Sequence, residues 1–102
     1  MSVKKRKEFA DRLRQGDYMT LPGVFDLISA RVADRMAFPG LYMTGYGVVA
    51  SSLGLPDAGL ASYTEMVNCV AKIAQGTITP LIADGDTGYG GLLNVEYTVR
   101  GY

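Results

Sequence analysis

Three times along this chain a short apolar run gives way, across a turn, to a segment of helical periodicity. That alternation is the strongest constraint on its fold. Strands separated by helices pair in parallel, and each helix crosses back over the sheet with a right-handed sense. The first run is Tyr18 to Leu21, closed by Pro22-Gly23. A helix is expected over 24–36, with Leu27, Ile28, Val32 and Met36 as its inward face and alanines for close packing. Phe38-Pro39-Gly40 breaks it. The second run, Leu41 to Thr44, opens a long glycine-punctuated connection through Gly59. Long connections in compact domains are usually functional. Ser62 with Glu65 three residues on reads as a capping box, starting a helix to about Gln75 that turns Met66, Val67, Val70, Ile73 and Ala74 inward and stops at Gly76. The third run is Ile78 to Ala83. Asn94 is expected to cap a last helix of barely two turns holding Val95, Thr98 and Val99. A charged helix over 3–15, with Phe9 and Leu13 as a narrow apolar stripe and Gly16 as its stop, precedes all of this. Short strands with roughly 20 to 40 residues per unit suit a (β/α)8 barrel. The expectation is an α/β fold, a partial TIM barrel made of an N-terminal helix plus about three βα units. Residues 1–102 are then the N-terminal fragment of a TIM-barrel domain. A flavodoxin-like doubly wound sheet is the alternative.

Composition removes several functions. Ten basic and ten acidic side chains cancel over 102 residues, so no net field favours nucleic acid or an anionic membrane. No run of about 18 apolar residues is present to span a bilayer. Lys4-Lys5-Arg6-Lys7 has no apolar segment behind it, which argues against a secretory signal, and Glu8, Asp11 and Asp17 mark it as a solvated helix face. The single cysteine, Cys69, cannot form an internal disulfide and reads as a small half-buried hydrophobe in a reduced, cytoplasmic protein. The chain has no histidine, which excludes Ser-His and Cys-His nucleophile pairs and makes a structural zinc site implausible.

In parallel α/β folds the loops after the strands share one face, and ligands bind there. The third run ends in Asp84-Gly85-Asp86, and the second leads through Thr44-Gly45-Tyr46-Gly47 to Asp57. Asp84, Asp86 and Asp57 offer hard oxygen ligands of the kind Mg²⁺ takes. Strand alternation is expected to point Asp84 and Asp86 to the same side. Gly45 lets backbone N–H groups approach a carboxylate or enolate oxygen, and the Thr44 hydroxyl adds a donor. An anionic 2-oxo acid chelating Mg²⁺ would meet all of these groups. The plainer readings are turns: D-G-D and Pro56-Asp57 are both common turn sequences. Glu65 and Glu96 read as helix N-terminal charges.

The chain resembles the isocitrate lyase/phosphoenolpyruvate mutase superfamily at Pro22-Gly23-Val24-Phe25-Asp26 with Ser29-Ala30, at Tyr42 to Gly47, at Gly54 to Gly59, at Glu65-Met66, at Ala83 to Gly90 and at Asn94-Val95. The likeness covers about residues 8 to 102. It implies a TIM barrel and Mg²⁺ as cofactor. In that pattern Asp84 touches the metal directly and Asp86 and Asp57 act mostly through its waters. The Thr44-Gly45-Tyr46 segment holds the substrate carboxylate, and Tyr42 lines the pocket. The implied substrate-binding set is thus Tyr42, Thr44, Gly45, Tyr46 and Asp84, and the implied catalytic set Asp57, Thr44 and Gly45. The implied activity is carbon–carbon bond cleavage in 2-hydroxy or 2-oxo di- and tricarboxylates, as in methylisocitrate lyase. Oxaloacetate decarboxylation, phosphoenolpyruvate phosphonomutase chemistry and a non-catalytic oxo-acid- and metal-binding module are the alternatives. Family members run to nearly three times this length. Their K-x-C gating loop, a later metal-associated Glu and a clamping Arg would all fall past Tyr102. Gly85 stands where many members have Ala. The chain by itself is therefore expected to be inactive, with copies associating into a homo-oligomer to cover its sheet edges.

Overall fold

The computed structural model describes residues 2–102. The elements in order are α1 (Val3–Arg14), β1 (Gly23–Val24), α2 (Leu27–Asp34), β2 (Leu41–Met43), α3 (Gly45–Leu53), α4 (Tyr63–Gly76), β3 (Leu81–Ala83) and α5 (Leu92–Gly101). The three strands form one parallel sheet in the order β1-β2-β3. Gly23 lies opposite Tyr42, and Tyr42 opposite Ile82; Val24 lies opposite Met43, and Met43 opposite Ala83. Side chains alternate across a strand, so this register divides the sheet. Val24, Leu41 and Met43 face the helices and are fully buried. Tyr42 and Ile82 face the other way.

The core is Val24, Leu41 and Met43 against Ala30 and Ala33 of α2, Val48 and Val49 of α3, and Met66, Val70 and Ile73 of α4. Helix α1 covers the end where the strands begin. Its Phe9 is buried and lies so close to Gly40 that a Cβ there would meet the ring at 2.6 Å. Helix α4 starts as expected. The Ser62 hydroxyl accepts from Glu65 N–H, and the Glu65 carboxylate accepts from Ser62 N–H at 2.7 Å.

Five expectations are corrected. The first strand is Gly23–Val24, not Tyr18–Leu21: the carbonyl of Pro22 accepts from Tyr42 N–H at 3.0 Å, so pairing begins at the proline expected to end it. Helix α2 is shorter than 24–36, and its inward face is Ala30 and Ala33. Ile28, Val32 and Met36 stand 77, 59 and 61% exposed, because only small residues let α2 approach the sheet closely. The glycine-punctuated connection after β2 contains the nine-residue helix α3, capped by Thr44 and closed by the left-handed Gly54 (φ 63°). The third strand begins at Leu81. The N–H groups of Ile78 and Thr79 bond instead to the Asp34 carboxylate, at 3.2 and 2.9 Å. Helix α5 starts at Leu92 and runs ten residues; Asn94 lies within it and reaches back to accept from Gly91 N–H.

Candidate active site

Because Asp84 follows Ala83 by one residue, its side chain emerges on the same sheet face as Tyr42 and Ile82. There the Tyr42 hydroxyl donates to the Asp84 carboxylate at 3.2 Å across 42 residues of sequence. Burial, then the negative charge of Asp84 and its hydrogen bond, then Asp57, push the Tyr42 phenol above its ordinary pKa, so it stays protonated and a donor. The other Asp84 oxygen accepts from Asp86 N–H at 2.8 Å. The chain has already left the strand at that point, and Asp86 is left-handed (φ 49°). A turn, rather than strand alternation, therefore relates Asp84 to Asp86.

Helix α3 begins directly beneath this carboxylate. A Cβ on Gly45 would lie 2.7 Å from Asp84 Oδ2, so only glycine allows this approach. The N–H groups of a helix's first turn have no intrahelical partners and carry partial positive charge, which suits an anion. The Thr44 hydroxyl accepts from Gly47 N–H at 3.2 Å as the helix cap, which leaves its own proton for another acceptor. The loop after α3 brings in the third carboxylate. Asp57, Asp84 and Asp86 line one cavity of about 70 Å³ together with Gly45, Val49, Gly59, Ala61, Met66 and Tyr89. Tyr46, on the first turn of α3, is 66% exposed and outside that lining.

Among the described residues no three acidic, histidine or cysteine side chains converge tightly enough to ligate one ion together. The donors at the cavity are all oxygens, and the space exceeds the ~10–15 Å³ that one water needs. This combination fits a hard cation that takes one or two carboxylates directly and keeps waters in its other positions. A larger cavity of about 460 Å³ lies between α2, α3 and α4, lined largely by Phe25, Leu27, Val48, Leu53 and Met66 with Cys69. It contains none of the loop carboxylates. Burial raises the Cys69 pKa, opposed by Lys72, and Sγ lies 3.8 Å from the Phe25 carbonyl oxygen, away from the acidic cavity.

A protein-family model described as phosphoenolpyruvate phosphomutase matches residues 9–102. The chain belongs to this family, within the isocitrate lyase/phosphoenolpyruvate mutase superfamily. Among curated relatives, the 2,3-dimethylmalate lyase of Eubacterium barkeri is 49% identical over 81 residues, which is 79% of this chain and 28% of that protein. A crystal structure of oxaloacetate acetylhydrolase superposes with a TM-score of 0.86 at 40% identity, covering 95% of this chain and 35% of the other. A phosphonopyruvate hydrolase crystallised with oxalate and Mg²⁺ superposes with a TM-score of 0.84 at 30% identity, covering 95% and 34%. The chain thus spans about a third or less of the length of these relatives. The three parallel strands and their helices are part of a TIM barrel, as expected from the alternation. No helix among the described residues is long and apolar enough to cross a membrane.

Five cavity residues lie outside the ligand set read from the sequence, Val49, Gly59, Ala61, Met66 and Tyr89, and two of them stand out. Val49 was hidden because its segment read as a loop. Tyr89 sat in the glycine-rich run after Asp86 without a role, since nothing local to that run says which way its ring turns.

Proposed function

We propose that this chain carries the cation- and carboxylate-binding part of a carbon–carbon lyase acting on 2-hydroxy or 2-oxo di- or tricarboxylates, of the methylisocitrate lyase kind. The observation that carries this reading is the seating of Asp84: its carboxylate rests on Gly45, takes the Tyr42 hydroxyl, and shares a cavity with Asp57 and Asp86. The cation assigned is Mg²⁺, with Asp84 as the direct ligand and Asp86 and Asp57 holding its waters. When bound, that ion supplies the positive charge that stabilises an enolate-like anion.

The chain's own residues bind and orient. The first-turn N–H groups of α3 at Gly45 and Tyr46, with the free proton of Thr44, receive the substrate carboxylate. Tyr42 holds one oxygen of Asp84 and so fixes the direction of the other. Among the described residues the cavity lining includes no histidine, cysteine or lysine, and its one proton-bearing side chain is the phenol of Tyr89. A phenol kept above its ordinary pKa by burial is a poor acid. We therefore assign to these 102 residues binding without turnover. The outer edges of β1 and β3 are where further strands, or a second copy, would pair.

Titration calorimetry tests this. Oxalate should bind only when Mg²⁺ is present, and Asp84→Ala should abolish the signal. Equal Mg²⁺-dependent oxalate binding by the unchanged chain and Asp84→Ala overturns the assignment.

A further inference from the structure

The loop after β3 takes left-handed backbone at Asp86 (φ 49°), Gly88 (φ 91°) and Tyr89 (φ 61°). For the two residues with side chains this costs of order 1 kcal/mol each, so the loop keeps its shape only if other bonds impose it. Those bonds come from α5 and the residue that ends it. The Thr98 hydroxyl donates to the Gly88 carbonyl at 2.8 Å. The Tyr102 hydroxyl donates to the Asp84 carbonyl at 3.0 Å, and the hydroxyls of Tyr102 and Tyr89 lie 2.9 Å apart.

The protons in this cluster have one arrangement. A carbonyl only accepts, so the single proton of Tyr102 is committed to Asp84. The bond between the two phenols must then run from Tyr89 to Tyr102. Both phenols carry their protons near neutral pH and so can donate. The Tyr89 ring is further held edge-on by Tyr63, at 6.3 Å between centroids. The main chain of Asp84 is thus fixed by Tyr102 while its side chain is fixed by Tyr42 and by Asp86 N–H.

We propose that Tyr102, oriented by the Tyr89 hydroxyl, is a positioning residue for the cation ligand Asp84. Its hydroxyl lies outside the acidic cavity and sets the carboxylate's position from behind, through the backbone carbonyl. This inference rests on the reading that Asp84 ligates a divalent cation, and it adds a residue that meets neither cation nor substrate.

The probe is Mn²⁺, read by the electron paramagnetic resonance signal of the free ion, on the 102-residue chain. Tyr102→Phe keeps the ring and removes both hydroxyl bonds at once. It should weaken Mn²⁺ binding by about tenfold or more, the usual effect of losing a partner behind a metal ligand. Tyr89→Phe spares the bond to Asp84 and should weaken binding by about threefold. Tyr97→Phe, which alters another ring of the same cluster (5.1 Å from Tyr63), should bind as the unchanged chain does. Equal affinity in Tyr102→Phe and the unchanged chain overturns the positioning role. So does a loss of the same size in Tyr97→Phe, which would mean that removing any hydroxyl from this tyrosine cluster weakens binding. If Tyr102→Phe does not fold, Tyr89→Phe decides: a loss of about threefold or more supports the role, and a smaller one overturns it. No Mn²⁺ binding by the unchanged chain overturns the cation reading of Asp84, and the inference with it.

Discussion

Adding one methyl group at Gly45 separates the site from the fold. A Cβ there would sit 2.7 Å from Asp84 Oδ2, 3.0 Å from its Cγ and 3.5 Å from its Cβ. Ordinary contact begins near 3.4 Å, so the carboxylate must retreat by about 0.7 Å. Gly45 has ordinary helical backbone at the first position of α3, so alanine meets no dihedral penalty there. Alanine in place of a helical glycine contributes about 0.5–1 kcal/mol of stability, and overpacking costs about 1–3 kcal/mol, so the net change in stability is small, about 1 kcal/mol of loss. The effect on the site is larger. Coordination distances tolerate only ~0.2 Å, and a displacement of about 0.7 Å would carry Asp84 beyond that tolerance for any cation it ligates. Gly45→Ala should therefore lower the urea midpoint slightly and weaken Mg²⁺-dependent oxalate binding by about tenfold or more. Calorimetry and circular dichroism on the same sample read both. Unchanged oxalate affinity with unchanged stability would refute the contact. A large loss of stability would refute the claim that Gly45 serves the site more than the helix.

Three other outcomes follow from the geometry. Asp34→Ala should cost roughly 1–3 kcal/mol in urea unfolding, because it strips the acceptor from the amides of Ile78 and Thr79 at the entry to β3. Burial raises the Asp34 pKa, but the Thr79 and Ile78 bonds outweigh it and hold the carboxyl below its ordinary value. A depressed folded-state pKa contributes stability above the ordinary carboxylate range and loses it as pH falls through the depressed value. The acid limb of the unfolding curve should therefore flatten in Asp34→Ala, and an identical pH profile would contradict this. Ser62→Ala should cost about 1 kcal/mol by removing the acceptor for Glu65 N–H, and thermal unfolding checks it. Cys69→Ala should leave Mg²⁺-dependent oxalate binding nearly unchanged in calorimetry, since the thiol faces the Phe25 carbonyl and not the acidic cavity; a marked loss would place it in the site.

What could be read from the chain was whatever depends on neighbours within one turn or one strand. The Ser62–Glu65 cap joins residues three apart, and the apolar run before Asp84 needs only its own composition to make a strand. Alternation of such elements suffices for a parallel α/β fold, and carboxylates at strand ends suffice for a candidate site. What could not be read depends on contacts between distant segments. Glycines at 45 and 47 look like loop formers, yet they lie in the first turn of a helix, where Asp84, Thr44 and Phe25 crowd the space their side chains would take. Ile28 and Val32 form an apolar face of α2, yet the sheet accepts the alanines on its other side. Two bonds that hold Asp84, from Tyr42 and Tyr102, cross 42 and 18 residues. Local pattern selects elements because backbone and capping energies act over a few residues. The facing of those elements, and the side chains that meet across them, are set only when the chain closes on itself and close packing admits one fit.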